Sequence, residues 1–159
     1  MGKTKKWEIK GIKKRQGFCN AGKIILKSRV DHLMNTIDNY FNDRTVENLH
    51  QVRIALRRVR YNMELFIICF DRRLFLRFYK KVEALQDNSG LVRDLDVFKE
   101  NVASLRTEDH VRVSPSVQHK IEAKRNELEN KLELELMKFQ HSKTLKDFYK
   151  SLNSQGRKK

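Results

Sequence analysis

The chain has 159 residues, 35 of them Lys or Arg against 20 Asp or Glu, with 39% hydrophobic residues, six glycines and one proline. That is enough for one core but not comfortably for two; the composition excludes collagen-like and low-complexity classes, and charges alternating with regular apolar positions exclude a disordered chain. A formal charge of +15 costs self-repulsion unless a polyanion neutralises part of it, so the first question is which anion.

Residues 1–21, with Gly11 and Gly17 and no sustained period, read as a loosely structured basic arm. A first helix is expected from near Gly22, with Leu26, Val30, Leu33, Met34, Ile37 and Phe41 as its apolar stripe. Asn42, Asp43 and Thr45 supply a break, and Thr45 is the predicted N-cap of a second helix reaching about Phe70. A third is expected from about Arg72 to Asp87, ending at Asn88-Ser89-Gly90, and a fourth on Leu91, Leu95, Phe98, Val102 and Leu105. A polar connection, Arg106 to Val113, leads to Ser114-Pro115, a cap followed by proline at the first helical position. The last long helix carries Val117, Ile121, Leu128, Leu132, Leu136 and Phe139. Ser142 caps a final short helix to about Leu152, and 153–159 form a basic tail. The expected fold is all-α, an antiparallel, four-helix-bundle-like arrangement over residues 22–152.

The longest apolar run is the six residues Leu65 to Phe70, against roughly 20 for a spanning helix. The lysines near the N-terminus are not followed by a hydrophobic centre, so no signal peptide and no membrane insertion are expected, and the chain is placed in the cytoplasm. Cys19 and Cys69 show neither metal-ligand nor disulfide spacing and are read as plain thiols. His32, His110, His119 and His141 have no i, i+4 pairing and no cysteine companions, so no metal site is expected.

Charge is uneven. Residues 1–29 hold 10 basic and 1 acidic side chain, 50–81 hold 9 and 2, and 82–111 hold 3 and 7. At about 100° per residue, the second helix separates Val52, Ala55, Leu56, Val59, Met63, Phe66 and Phe70 from an opposite face of His50, Arg53, Arg57, Arg60, Tyr61 and Glu64, with Arg58 beside that face. Guanidinium forks match phosphate oxygens bidentately, and rows of them about 5 to 6 Å apart suit a polymer of phosphates. The alternative is a solvated basic face, or one paired with the acids of 82–111. On the third helix Arg73, Arg77, Lys80 and Lys81 share one side; on the last, Lys120, Lys124, Lys131 and Lys138 lie opposite Glu122, Glu129 and Glu133. Such flanks can face a common groove, though for each stripe alone a solvated face is the leading alternative.

The run His50-Gln-Val-Arg53-Ile-Ala-Leu-Arg57-Arg58-Val-Arg60, joined by Tyr61 and Glu64, resembles the signature helix of the CHAD family, the conserved histidine α-helical domain. Leu85-Gln86 and Gly90-Leu-Val-Arg93-Asp94-Leu-Asp96-Val97 look like its second motif, and the resemblance runs from about Gly22 to Leu152. It implies a helical fold that binds inorganic polyphosphate in a basic cleft or pore. His50, Arg53, Arg57, Arg58 and Arg60 would be the principal ligands, with Arg73, Arg77, Lys80, Lys81, Arg93, Lys120 and Lys124 as further candidates. His50 stays open between a donor to phosphate, best when protonated, and a structural residue orienting Arg53 or the helix start. Family members usually carry two such repeats and this chain has one, so a homodimer completing the pair is expected. Asn88-Ser89 also departs from the apolar residues expected before Gly90, which weakens the assignment of Arg93.

Neither Lys6-Trp7-Glu8-Ile9-Lys10 nor Glu133-Leu134-Glu135-Leu136-Met137 completes the ExExK pattern of the triphosphate tunnel enzymes that accompany CHAD modules. No nucleophile elbow or P-loop is present. No catalysis and no cofactor are expected. The rival readings are single-stranded RNA binding, rewarded by the same counterion release but short of stacking aromatics beyond Trp7 and Tyr61, and a basic scaffold for an acidic protein or membrane surface.

Overall fold

A computed structural model describes residues 9–13, 15–108 and 112–154. Its elements are α1 (Phe18–Asn42), α2 (Val46–Leu65), a 3₁₀ turn (Ile67–Cys69), α3 (Arg72–Glu108), α4 (Pro115–Gln140) and α5 (Lys143–Asn153). No strand occurs among the described residues, and no described helix is long and apolar enough to cross a membrane. The three predicted caps close their helices as expected: Thr45 accepts from the Asn48 amide at 3.2 Å, Ser114 from Ser116 at 3.3 Å and Ser142 from Leu145 at 3.2 Å.

Antiparallel α1 and α2 bury Leu26, Val30, Leu33 and Ile37 against Val52, Leu56, Val59 and Met63. Across them lie Phe75, Phe78 and Val82 of α3, Leu132, Leu136 and Phe139 of α4, and Leu145, Phe148 and Leu152 of α5. Phe78 and Phe148 stack with centroids 4.0 Å apart. Tyr40 ties the far end of α1 to α4: its hydroxyl lies 2.9 Å from Glu129 and 3.0 Å from Glu133 and donates to one at a time. Arg125 of α4 is buried beside it, donating to Asp96 of α3 at 2.6 Å and to Glu129.

Several sequence expectations change. The predicted stop at Asn88-Ser89-Gly90 is instead the interior of one 37-residue helix, α3. Ser89 is buried and returns its hydroxyl to the Gln86 carbonyl at 2.7 Å, so the local turn signal is satisfied within the helix. Because α3 does not break, Phe75, Phe78, Val82, Leu85 and Val92 set its phase. Leu91, Phe98 and Leu105, expected in the core of a separate helix, are therefore 50%, 48% and 44% exposed.

The first helix starts at Phe18, not near Gly22, so 18–21 are helical rather than arm, and Arg106 to Glu108 are helical rather than connection. The second ends at Leu65, with the 3₁₀ turn where helix was expected to continue to Phe70. Finally, Cys19 and Cys69 form a disulfide. Gly22 suits this closure: a Cβ there would stand 2.6 Å from the Phe66 ring, so a larger residue would push the start of α1 off the end of α2. Phe18 packs on the same ring at 5.1 Å. The pairing removes the argument for a reducing compartment that two free thiols had supplied.

Candidate functional site

The amphipathic pattern of α2 places its basic residues outside the core, but neighbouring helices divide them. Arg60 is neutralised: its Nε lies 3.1 Å from Glu64 and 2.9 Å from the Tyr79 hydroxyl, and its Nη2 lies 3.9 Å from Glu83. Tyr79 donates to Glu64 at 2.7 Å. That bond, then the Arg60 charge, holds the Glu64 carboxyl below its usual range, while burial and then Glu64 push the Tyr79 phenol up.

Arg53 is different. Its guanidinium lies over Gly90, where a Cβ would stand 3.3 Å from Nη1, and it has no ion-pair partner among the described residues. Arg57 is exposed, likewise unpaired, and sits 6.0 Å from the centroid of Tyr61, itself 55% exposed. His50 lies one turn before Arg53, and its Nδ1 is buried with no hydrogen-bond partner.

On α3, Tyr79, Glu83, Gln86, Gly90 and Arg93 recur at helical spacing on one stripe. Contacts of Arg60 with Tyr79 and Glu83, and of Arg53 with Gly90, show that this stripe faces α2. Gln86 falls between those contacts, and its Oε1 is also buried and unpartnered. Each such orphan costs about 1 to 3 kcal/mol of desolvation. The α2–α3 seam thus holds two unpaired arginines and two unsatisfied polar atoms within a few turns. The sequence pointed to the arginines but missed Gln86 and Gly90 as seam residues; the 79, 83, 86, 90, 93 spacing was the available signal, masked by reading Gly90 as a helix stop.

The remaining candidates are either paired or lie off this seam. Arg93 lies on the stripe but pairs with Glu100 at 3.3 Å. Arg58 faces the other way, toward Arg29 and His32 of α1, whose proton affinities are lowered by burial and then by its charge. Lys80 and Lys81 line a cleft of about 240 Å³ between α3 and α4, shared with Lys138 and Glu135. Arg73 and Arg77 are exposed on the first turns of α3, off the α2-facing stripe. Lys120 is exposed on α4, and Lys124 pairs with Glu127 at 3.0 Å. The cationic flanks of α3 and α4 therefore do not converge on α2 within one chain. Among the described residues no cluster of three or more His, Cys, Asp or Glu has the arrangement of a metal site.

These elements define an all-helical domain organised around an arginine-rich helix. The sequence model of the CHAD domain matches residues 24–158, nearly the whole chain, and the chain belongs to that family. CHAD domains are associated with polyphosphate binding. No curated protein and no solved structure matches the chain.

Proposed function

We propose that the chain is a binding protein, not an enzyme, and that it holds inorganic polyphosphate along the α2–α3 seam. Arg53 and Arg57 are the principal cations, and His50 and Gln86 supply polar contacts beside them. The observation that carries this reading is the contrast within one helix: Arg60 is satisfied by Tyr79, Glu64 and Glu83, whereas Arg53 and Arg57 present charge that no acid among the described residues answers. Unanswered guanidinium groups on successive turns suit a chain of phosphates.

Titration with long-chain polyphosphate and with single-stranded RNA at matched phosphate concentration, at two salt concentrations, tests the reading. Tighter binding of polyphosphate is expected, and preference for RNA would sink it. Arg53→Ala with Arg57→Ala should weaken polyphosphate binding by about 3 kcal/mol while leaving helicity unchanged; unaltered affinity would move the site elsewhere. RNA remains the second reading because Arg57 lies beside the exposed Tyr61 ring, a platform on which a base could stack.

Self-association belongs to the same proposal. The outward row of Leu91, Phe98 and Leu105 is an apolar surface that a second copy can cover, and a symmetric pair brings two arginine-rich helices into one assembly. Light scattering with and without polyphosphate checks it, and a strictly monomeric, fully binding-competent protein would refute it. A cytoplasmic location with association to polyphosphate deposits is part of the proposal and is checked by fluorescence imaging of the tagged protein; the Cys19–Cys69 disulfide favours an oxidising compartment as the opposing outcome.

A further inference from the structure

On the other flank of α2, the antiparallel register anchored by Gly22 against Phe66 sets Arg58 level with Val30, between Arg29 and His32 of α1. At helical spacing Arg29 and His32 share the edge of α1 that turns toward α2. The Nε of Arg29 is buried there with no hydrogen-bond partner. The chain before α1 folds back along the same helix, bringing Lys10 to the rim of a cleft of about 390 Å³ that His32, Lys27 and Asp31 also line. Asp31, the acid in that cleft, is already engaged by Lys27 Nζ at 3.0 Å and by the Tyr149 hydroxyl at 2.8 Å. His32 thus has Arg29 and Arg58 on its seam side and Lys10 and Lys27 on its cleft side, where the acid, Asp31, is taken.

We propose that Arg29, His32 and Arg58, with Lys10 in the adjoining cleft that His32 also lines, form a second anion site in the α1–α2 seam that takes a phosphate group of a condensed-phosphate chain. The ligand class rests on the polyphosphate reading above; the site itself does not. Partial burial of the surface-exposed His32 ring, then the charges of Arg58 and Arg29, lowers its proton affinity in the free protein. A phosphate in the seam reverses those electrostatics. Protonated His32 then becomes a donor and a counter-charge together, so occupancy raises its proton affinity and acid strengthens binding. The groups facing His32 are Arg29, Lys27 and Asp31 on α1, Arg58 on α2 and Lys10 in the preceding segment.

The test is an NMR pH titration of the histidine rings in the wild-type chain, with His32→Gln assigning the resonance, with and without tripolyphosphate at constant ionic strength. The His32 midpoint is expected to rise by about one unit, and tripolyphosphate to bind about tenfold tighter at about pH 5.5 than at about pH 7.5. The response should persist in Arg53→Ala with Arg57→Ala and vanish in Arg29→Gln with Arg58→Gln. An unmoved His32 midpoint in wild-type protein overturns the site, whatever long-chain polyphosphate does. An equal shift with orthophosphate at the same phosphate concentration overturns the assignment to a chain. If long-chain binding proves independent of Arg53 and Arg57 while His32 still answers tripolyphosphate, the α2–α3 reading falls and this site stands.

Discussion

The Arg53 guanidinium rests on Gly90: a Cβ built there would stand 3.3 Å from Nη1 and 3.9 Å from Cζ. Glycine in a helix interior costs about 1 kcal/mol relative to alanine, and here its absent side chain is what the arginine occupies. Gly90→Ala is therefore expected to separate stability from binding. The atom displaced is the far end of a flexible side chain, so the variant should gain up to about 1 kcal/mol, or about 2 to 4 °C in Tm, while polyphosphate affinity falls because Arg53 is moved. Thermal unfolding and a binding titration on the same sample check both halves, and unchanged affinity would separate Gly90 from the site.

Gly22 makes the opposite case. A Cβ there meets the Phe66 ring at 2.6 Å, and that ring is buried at the junction of α1, α2 and the 3₁₀ turn. Gly22→Ala should destabilise by about 1 to 3 kcal/mol through overpacking, despite the gain in helix propensity. Urea unfolding of the two glycine variants side by side should give shifts of opposite sign.

The Cys19–Cys69 disulfide closes a loop with a sequence separation of 50 that spans α1 and α2. Loop-closure arguments assign a cross-link of that span about 4 kcal/mol. Urea unfolding with and without reductant, and of Cys19→Ser with Cys69→Ser, should show a loss approaching that size. Equal midpoints in oxidised and reduced protein would show that α1 and α2 hold their register without the bond.

Fold class and caps were legible because they depend on neighbours in sequence: Thr45, Ser114 and Ser142 each cap the helix that follows. What was illegible depended on distant contacts. Asn88-Ser89-Gly90 carries a turn signature, but packing against Arg53 and the buried Ser89 hydroxyl keep it helical. That continuity then rotates Leu91, Phe98 and Leu105 outward. Arg60 looked equivalent to Arg53 until Tyr79 and Glu83 arrived from another helix. The cysteines, 50 residues apart, gave no spacing signal.

Arg125 joins α3 to α4 through Asp96 and Glu129, with little exposure on any of the three. Removing one member of a buried ionic group leaves charge without a partner, typically about 3 to 5 kcal/mol. Arg125→Met should therefore be severely destabilising, whereas Lys124→Met, at the exposed neighbouring position, should stay within about 0.5 kcal/mol. Chemical denaturation of both variants distinguishes a buried ionic joint from general loss of positive charge.

Because α3 passes Gly90 without interruption for about 55 Å, the wall opposite Arg53 and Arg57 contains no hinge. Its core-facing residues on either side of the glycine are fixed by the same bundle. A ligand entering the seam orders arginine side chains, at about 0.5 to 1.5 kcal/mol apiece, and leaves the helices where they already stand. Recognition is thus built on preorganised backbone, and adaptation to successive anionic groups resides in the reach of a few guanidinium arms.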